Sequence, residues 1–372
     1  MKKNNMKVML VILSVVALIS VACKPKENIK LGFVSQLTGT QAELGVQERN
    51  GAQIAVDEIN KNEGIHGQKV ELLVQDDFGT KDGAISSVEE LIKSKVVAII
   101  GHATSSQTIE GLSVAKKTNT LMISPTASSH ELSRKDDNFF RIVTSNKIRT
   151  EVFADRIFEK RNIENMAIIY DLDNINYSSS YKKAFTDRYE KLGGKVSKDI
   201  GFSTKSQPNF NTIANEVKNL GVKGVLIIAN DFDTAMIAQA LINNEVKVKM
   251  FSSSWAQTMS LIYNGGKAVE GMEVEVVYPQ NSEVERFKKF QSKYEERFGK
   301  SPSFGAVLGY ESIYVLKAGI ENSLESKQDL KISLLQGKYK GLIDEFKFDK
   351  YGDVERPFYF SIIEDGKFVT VE

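Results

Sequence analysis

The sequence predicts an α/β protein made of two doubly wound lobes, each built on a parallel sheet. Strand and helix patterns alternate along most of the chain, which is typical of right-handed βαβ units. Several strand patterns are short, unbroken apolar runs, such as residues 96–100 and 225–229, as expected where helices cover both faces of a sheet. The 372 residues exceed what one hydrophobic core usually organises, and the alternation restarts near residue 148, so two lobes are expected.

The first lobe is predicted from the alternation that begins at residue 29. Its strand patterns cover residues 29–37, 70–75, 96–100, 121–124 and 139–144. Its helical patterns cover residues 45–60, 84–93 and 109–117; in the first of these, Ala52, Ala55, Val56 and Ile59 share one face.

The second lobe is predicted from the alternation that follows. Its strand patterns cover residues 166–170, 195–202, 225–229 and 248–252, and its helical patterns cover 148–159, 177–191, 210–220 and 234–243. Two helical patterns at 284–298 and 306–323 have no strand between them, so they must pack on a lobe already formed, and the chain is expected to cross between lobes more than once. A hairpin region is expected near the C-terminus. The predicted division is 29–142 plus 280–350 for lobe 1 and 143–279 plus 351–372 for lobe 2.

The N-terminus has the pattern of an export signal. Residues 1–7 are basic, residues 8–22 are almost wholly apolar, and Cys23 follows small residues, so 1–22 are predicted to be a signal peptide. Cys23 is the sole cysteine, and its setting resembles a bacterial lipobox, which implies a lipidated first residue of the mature protein and a tether over 23–28. The lipobox usually has Leu where Ser20 stands. The protein is therefore expected to be an extracytoplasmic lipoprotein anchored to the membrane. The alternative is that Cys23 is a free thiol in an exported protein.

Composition and motifs argue against several function classes. A net charge of +1 gives no electrostatic reason to expect nucleic acid. The three histidines lie far apart without metal-ligand spacing, and no phosphate loop, HExxH motif or nucleophile elbow is present. We therefore expect no enzyme, no metal site and no cofactor.

Polar loops follow the predicted strands at the edge where open α/β sheets bind ligands. In lobe 1 these loops contain Thr104, Ser105 and Ser106, then Thr126, Ala127 and Ser128. The first of them opens a helix, whose free N–H groups and dipole favour an anion. In lobe 2 the corresponding region offers Tyr177, Asp231 and Trp255. Two such faces across a cleft are expected to hold a small molecule with a carboxylate and an apolar body.

Each of these residues also has a purely structural interpretation. The serines and threonines are also suited to capping helices. Tyr177 is equally consistent with packing under its helix, and Asp231 with capping the helix at Thr234. Trp255, the only tryptophan, follows a strand end, which favours the site. His102 is expected to brace its loop by donating to the backbone.

Several motifs occur in order along the mature chain: LTGTQAELG (37–45), NGAQIAVDEIN (50–60), GIHGQKVEL (64–72), VVAIIGHATSS (96–106), MISPTASSHEL (122–132), FFRIV (139–143) and GGKAVEGMEV (265–274). Together they resemble the leucine/isoleucine/valine-type substrate-binding proteins of branched-chain amino acid ABC transporters. The resemblance implies a type I periplasmic-binding fold whose two lobes are joined by a three-crossing hinge. It also implies that the lobes close on a ligand and that the protein, a monomer, then docks on a membrane permease.

The resemblance also implies roles for the loops. The stretches 104–106 and 126–128 would hold the ligand's carboxylate and amino group, and Tyr177 would lie over the ligand. Two positions depart from the family. Ser254 stands where an acid often pairs the ligand's ammonium, and Leu44 stands where a Tyr is usual. Either Asp231 pairs the ligand's ammonium, or the ligand is a carboxylate or amide that has no ammonium. The alternative to a transport role is that of a sensor that signals ligand binding to a receptor.

Overall fold

The computed structural model describes residues 27–39 and 41–371, so the predicted signal peptide and Cys23 lie outside the described residues. These residues form two main sheets with helices on both faces. The first sheet has five parallel strands in the order β2-β1-β3-β4-β5. Their bounds are Ile29–Ser35 (β1), Val70–Asp76 (β2), Ala98–Gly101 (β3), Met122–Ser124 (β4) and Phe139–Arg141 (β5).

Neighbouring residues of the first sheet bury their side chains in two different clusters. Ile100 and Ile123 belong to a large core that extends to Val354, whereas Ile99 and Met122 belong to a smaller one on the other face. The helices over these faces are Glu43–Lys61 (α1), Lys81–Lys93 (α2) and Ser105–Ala115 (α3).

The second sheet has seven strands in the order β14-β13-β10-β9-β8-β6-β7. Their bounds are Asn165–Asp171 (β6), Lys195–Phe202 (β7), Gly224–Ile228 (β8), Lys249–Ser252 (β9), Glu273–Val276 (β10), Tyr359–Glu364 (β13) and Lys367–Val371 (β14). The helices of this part are Asn146–Asp155 (α4, continued by one wide turn over 156–160), Ile175–Lys191 (α5), Phe210–Leu220 (α6), Asp231–Asn243 (α7) and Met259–Gly265 (α8).

This second sheet is mixed, whereas the sequence predicts a parallel sheet in each lobe. β13 pairs antiparallel with β10, and β14 antiparallel with β13. Asp365 and Gly366 both have positive φ, 50° and 68°, which is the backbone of the tight turn that joins antiparallel strands. The chain re-enters this sheet at its end as a hairpin, which needs no crossover helix and therefore runs antiparallel.

The remaining helices pack on the first lobe. They are Glu285–Phe298 (α9), Phe304–Ser326 (α10) and Leu330–Gln336 (α11), and a small sheet of Tyr339–Lys340 (β11) and Glu345–Phe346 (β12) follows them. α10 and α1 approach so closely that a Cβ on Gly51 would lie 1.9 Å from the carbonyl oxygen of Ala306. Only glycine fits that contact.

The chain passes between the two lobes three times: after β5, after β10 and before β13. The three-crossing architecture is therefore present. Within 27–39 and 41–371, no helix combines the length and the apolar character needed to cross a membrane.

Several element boundaries differ from the sequence-based prediction. α3 begins at Ser105 rather than at residue 109, because Thr104 has the extended backbone of a helix cap and the polar residues after it form the first turn. The short helices α8 and α11, seven residues each, were not predicted. Short helices depend on tertiary packing and leave a weak periodic pattern.

Candidate functional site

A cavity lies between the lobes where the carboxyl ends of the two sheets face each other. The space in it that protein atoms do not occupy is about 350 Å³, part of which is open to solvent. Residues from both lobes line it: Leu44, Ala103, Ser105, Thr126, Ser128, Val143, Arg149, Asn174, Tyr177, Ser254, Trp255, Val277 and Phe304. Five of the nine ligand-binding residues predicted from sequence are in this lining: Ser105, Thr126, Ser128, Tyr177 and Trp255.

The polar wall combines hydroxyls of the first lobe with Arg149, which follows the first crossing. Ser105, in the first turn of α3, accepts a hydrogen bond from the N–H of Ser129 at 3.1 Å. Ser128 accepts one from the guanidinium of Arg149 at 3.2 Å. Hydroxyls at a helix N-terminus beside a guanidinium form a setting that suits a carboxylate.

The aromatic wall comes from the second lobe. Tyr177 and Trp255 are nearly buried and meet edge to face, with ring centroids 5.6 Å apart and planes at 81°. The Tyr177 hydroxyl lies near the hydroxyls of Ser253 and Ser254 but makes no hydrogen bond of ordinary geometry with the described residues. Burial raises the pKa of Tyr177 to about 12, so its hydroxyl stays neutral and able to donate.

The other predicted site residues lie beside the cavity. The hydroxyl of Thr104 bonds to Gln107 within its own helix turn. The N–H of Ala127 donates to Ser124 Oγ at 2.9 Å, which shapes the loop. Ser106 contacts the second lobe, where its hydroxyl donates to Asn176 Oδ1 at 3.0 Å.

Asp231 also lies outside this cavity lining. Its carboxylate accepts hydrogen bonds from Thr258 Oγ1 and, at 2.9 Å, from the N–H of Phe232, and burial raises its pKa. Asp231 does not cap α7, because the cap is Asn230, whose side chain accepts from the N–H of Asp233 at 2.9 Å.

His102 braces the first lobe, but its partner is a carboxylate and not the backbone. His102 Nδ1 lies 2.6 Å from Asp77 Oδ2, and both side chains are buried. This contact ties the loop after β3 to the loop after β2, behind the cavity wall.

Arg149 is the charged lining residue that sequence reasoning missed. It lies in α4, just after the first crossing, and its side chain is fully buried. One Nη donates to Ser254 Oγ at 2.9 Å and to the buried carboxylate of Glu275. The signal in the sequence is the helical spacing of buried Asn146, Arg149, Thr150 and Phe153, which places a cation on the inward face.

Glu48 was missed as well, and it supports the wall from behind. Thr126 Oγ1 lies 2.6 Å from Glu48 Oε1 and 2.7 Å from the carbonyl oxygen of Ala103. Because one hydroxyl proton cannot serve both acceptors, the arrangement is satisfied when Glu48 is protonated and donates to Thr126. Burial raises the pKa of Glu48 to about 8, in agreement with that geometry.

The lobes are closed over the cavity. Gln41 of the first lobe donates to Asp171 of the second at 3.1 Å, and Lys205 of the second donates to the carbonyl oxygen of Gly79 at 3.0 Å. Among the residues that the structure describes, no group of three or more His, Cys, Asp and Glu side chains could hold a metal ion. The candidate site is a cleft with polar and aromatic walls, over which the two lobes are in contact.

This geometry agrees with what comparison with known proteins shows. A family model described as Periplasmic binding protein matches residues 28–367. The chain belongs to the periplasmic binding protein family. It has the type I fold of that family, and the family consists of extracytoplasmic solute-binding proteins of transport systems.

Relatives in this family share low identity with the chain but nearly its full length. The Leu/Ile/Val-binding protein homolog 3 of Brucella melitensis is 23% identical, over 96% of this chain and 97% of its own. The substrate-binding protein LivJ of Streptococcus pneumoniae, solved with isoleucine, is 22% identical with a TM-score of 0.84, over 92% of this chain and 100% of its own. A solute-binding protein of R. palustris, solved with benzoate, is 18% identical with a TM-score of 0.84, over 92% of this chain and 95% of its own.

Proposed function

We propose that this protein captures a small amino acid, branched-chain or related, by closing its lobes, and delivers it to an ABC permease. The observation that carries the proposal is the closed cavity, with hydroxyls and a guanidinium on one side and aromatic rings on the other. Such walls suit a solute with a carboxylate and an apolar body. The relatives named for leucine, isoleucine and valine support an amino acid as the first candidate.

Ligand contacts are proposed first for the predicted residues that line the cavity, Ser105, Thr126, Ser128, Tyr177 and Trp255. Thr104, Ser106 and Ala127 hold the loops in place in this proposal. Closure follows from contact with both lobes, since a ligand stabilises the closed state only by its higher affinity for it. No enzymatic activity is proposed.

A carboxylate without an amino group is the second candidate ligand. The observation that favours it is that no Asp or Glu is among the described residues that line the cavity, so an ammonium would have no carboxylate partner there. Asp231 bonds to Thr258 instead, and Glu48 is held neutral. The relative solved with benzoate supports this candidate.

Fluorescence of Trp255 tests the proposal, because it is the only tryptophan in the chain and lines the cavity. The titration compares leucine, isoleucine and valine with 4-methylpentanoate and benzoate. Saturable change with the amino acids supports the main proposal, and change only with the amine-free acids supports the second candidate. No change and no thermal stabilisation with any of them would refute both.

We also propose that the mature protein begins at a lipidated Cys23, is anchored on the outer side of the membrane and is monomeric. The lobe boundaries at 142/143, 279/280 and 350/351 belong to the same proposal. The alternative role as a sensor predicts a receptor as partner. Co-purification with a permease of the same operon would favour transport, and co-purification with a receptor would favour sensing.

A further inference from the structure

We propose that Arg149 binds the anionic group of the captured solute and determines that the site accepts carboxylates. The inference rests on the proposed capture of a small carboxylate and names the residue that recognises it. Arg149 lines the cavity beside Ser105 and Ser128. None of the predicted ligand residues carries a positive charge, so Arg149 adds a function that the loops alone lack.

The contacts of Arg149 leave two of the five N–H groups of its guanidinium without a protein acceptor among the described residues. Nη1 is fully used, by Ser254 Oγ and by the carboxylate of Glu275. Nη2 donates to Ser128 Oγ at 3.2 Å, which uses one of its two hydrogens. Nε is buried and has no hydrogen-bond partner among the described residues.

Arginine binds a carboxylate through two parallel hydrogen bonds from Nε–H and the Nη2–H beside it, which form one of the forks of the planar group. In Arg149, Nε–H and one Nη2–H have no acceptor in the described part of the protein. A buried N–H without an acceptor is unfavourable, so the native state favours an anion at these donors. Arg149 borders this cavity and a neighbouring one lined by Glu311 and Arg356, and the inference places the anion in the first, beside Ser105 and Ser128.

The two helix N-termini beside Arg149 allow the cavity to accept one negative charge. Glu275 lies at the other end of the guanidinium, where it also accepts from Tyr181 Oη at 2.7 Å, and it neutralises Arg149. The helices α3 and α5 both begin at the cleft, with Ser105 and Asn174 in the lining, and the N-terminal ends of helices stabilise an anion.

Arg149 also links recognition to closure. Its protein partners lie in both lobes, because Ser128 belongs to the first lobe and Glu275 to the second. An anion on the Nε/Nη2 edge would contact Arg149 and the first-lobe hydroxyls only when the lobes are together. Such a ligand has a higher affinity for the closed state, which is what drives closure.

A structural ion pair with Glu275 is the competing interpretation, and the chain supplies a matched control for it. Arg156 lies two helical turns further along and pairs with Glu273, which is two residues before Glu275 in the same strand. Glu273 is as buried as Glu275, but neither Arg156 nor Glu273 lines this cavity. Removing either pair removes a buried arginine–glutamate interaction, and only one removal affects the cavity. Glu273 also binds Arg161, whose side chain is 28% exposed and can therefore be hydrated once Glu273 is replaced.

The experiment measures binding of acids and their primary amides to the mature protein by calorimetry. The probes are leucine, 4-methylpentanoate and benzoate, each compared with its amide. The test variant combines Arg149→Gln with Glu275→Gln, so that neither partner is left as an unpaired buried charge. The control variant combines Arg156→Gln with Glu273→Gln. Arg149→Lys, which keeps the charge but loses the fork, serves as the milder change.

We expect the wild type to bind the acid at least about 30-fold more tightly than the amide, since bonds between charged partners are the strong ones. In the double variant at 149 and 275 this preference should fall to below about threefold, while the control pair keeps it. Arg149→Lys should give an intermediate preference.

Two results would overturn the inference while the capture function stands. The first is that the wild type binds an amide as tightly as the corresponding acid, which can be observed without any variant. The other is an acid preference that survives loss of Arg149. If no probe binds the wild type, the proposed function fails, and this inference fails with it.

Discussion

Ser106 and Asn176 form a reciprocal hydrogen-bonded contact across the mouth of the closed cleft. The Ser106 hydroxyl donates to Asn176 Oδ1 at 3.0 Å, and the backbone N–H of Asn176 donates to the same hydroxyl at 3.2 Å. A third bond runs from the Asn174 side chain, which accepts from the N–H of Ser106 at 3.2 Å. The first turns of two helices, one from each lobe, are thus joined directly when the protein is closed.

Ser106→Ala is expected to weaken ligand binding without lowering the stability of the open state. The closed state alone loses the two hydroxyl contacts, and a typical hydrogen bond of this kind corresponds to about a 2- to 10-fold effect on affinity. Calorimetry with the best ligand of the fluorescence panel measures this. Ser113→Ala is the control, because Ser113 lies in the same helix and bonds only to its own helix, at Glu110 O. Equal affinities of wild type and Ser106→Ala would contradict a role in closure.

Ser105→Ala combined with Ser128→Ala is expected to weaken binding by about 10- to 100-fold, because a carboxylate loses two hydroxyl donors. A small loss of thermal stability should accompany it, since the N–H of Ser129 and Arg149 each lose an acceptor. Calorimetry and a thermal melt separate the two effects. Unchanged affinity in a folded variant would remove these hydroxyls from the site.

Trp255 is expected to emit at short wavelength and to resist iodide quenching in the closed form, because only 7% of its surface is exposed. In the open form the indole should become accessible to the quencher. Quenching with and without saturating ligand measures the change, and Trp255→Phe should abolish the signal. Quenching that is insensitive to a bound ligand would argue against Trp255 as a cleft residue.

Glu48 is expected to make stability fall as pH rises. The folded pKa of about 8 lies above the ordinary value of 4.5, so the folded state binds more protons than the unfolded state between these values. The contribution is therefore complete below about pH 4.5 and is lost progressively as pH rises towards 8.

Glu48→Gln should remove this part of the pH dependence of stability, because the glutamine side chain has the same shape and is neutral at every pH. Its free energy of unfolding should match that of the wild type near pH 5 and exceed it near pH 8. Denaturant unfolding at both values tests this. A variant that is equally destabilised at both pH values would show that Glu48 is charged in the folded state.

Cys23→Ser is expected to release the protein from the membrane into the soluble extracytoplasmic fraction, because the thiol that would carry the lipid is lost. Metabolic labelling with an alkyne fatty acid should label the wild type and not the variant. Cell fractionation checks the location. Labelling that persists without Cys23, or a wild type that is never labelled, would refute the anchor.

The sequence predicted five residues of the cavity lining because hydroxyl-rich loops directly follow short apolar strands. Ser105 and Ser128 are recognisable as cleft residues from that position alone, since parallel strands end at a common edge. Asp231 stands at an equivalent strand end, yet it bonds to Thr258 outside the cavity lining. Position along the chain gives the edge of the sheet, but not the direction in which a side chain points.

The sequence by itself determined the α/β alternation, the number of lobes and the loops that form the cleft, because these follow from local hydrophobic periodicity and turn residues. Tertiary structure alone decided that the C-terminal hairpin joins the second sheet, antiparallel to β10, and that Glu48 is neutral. It also decided the pairing of Arg149 with Glu275, which lie 126 residues apart. Such features depend on which distant groups share a buried space, and no local pattern encodes that.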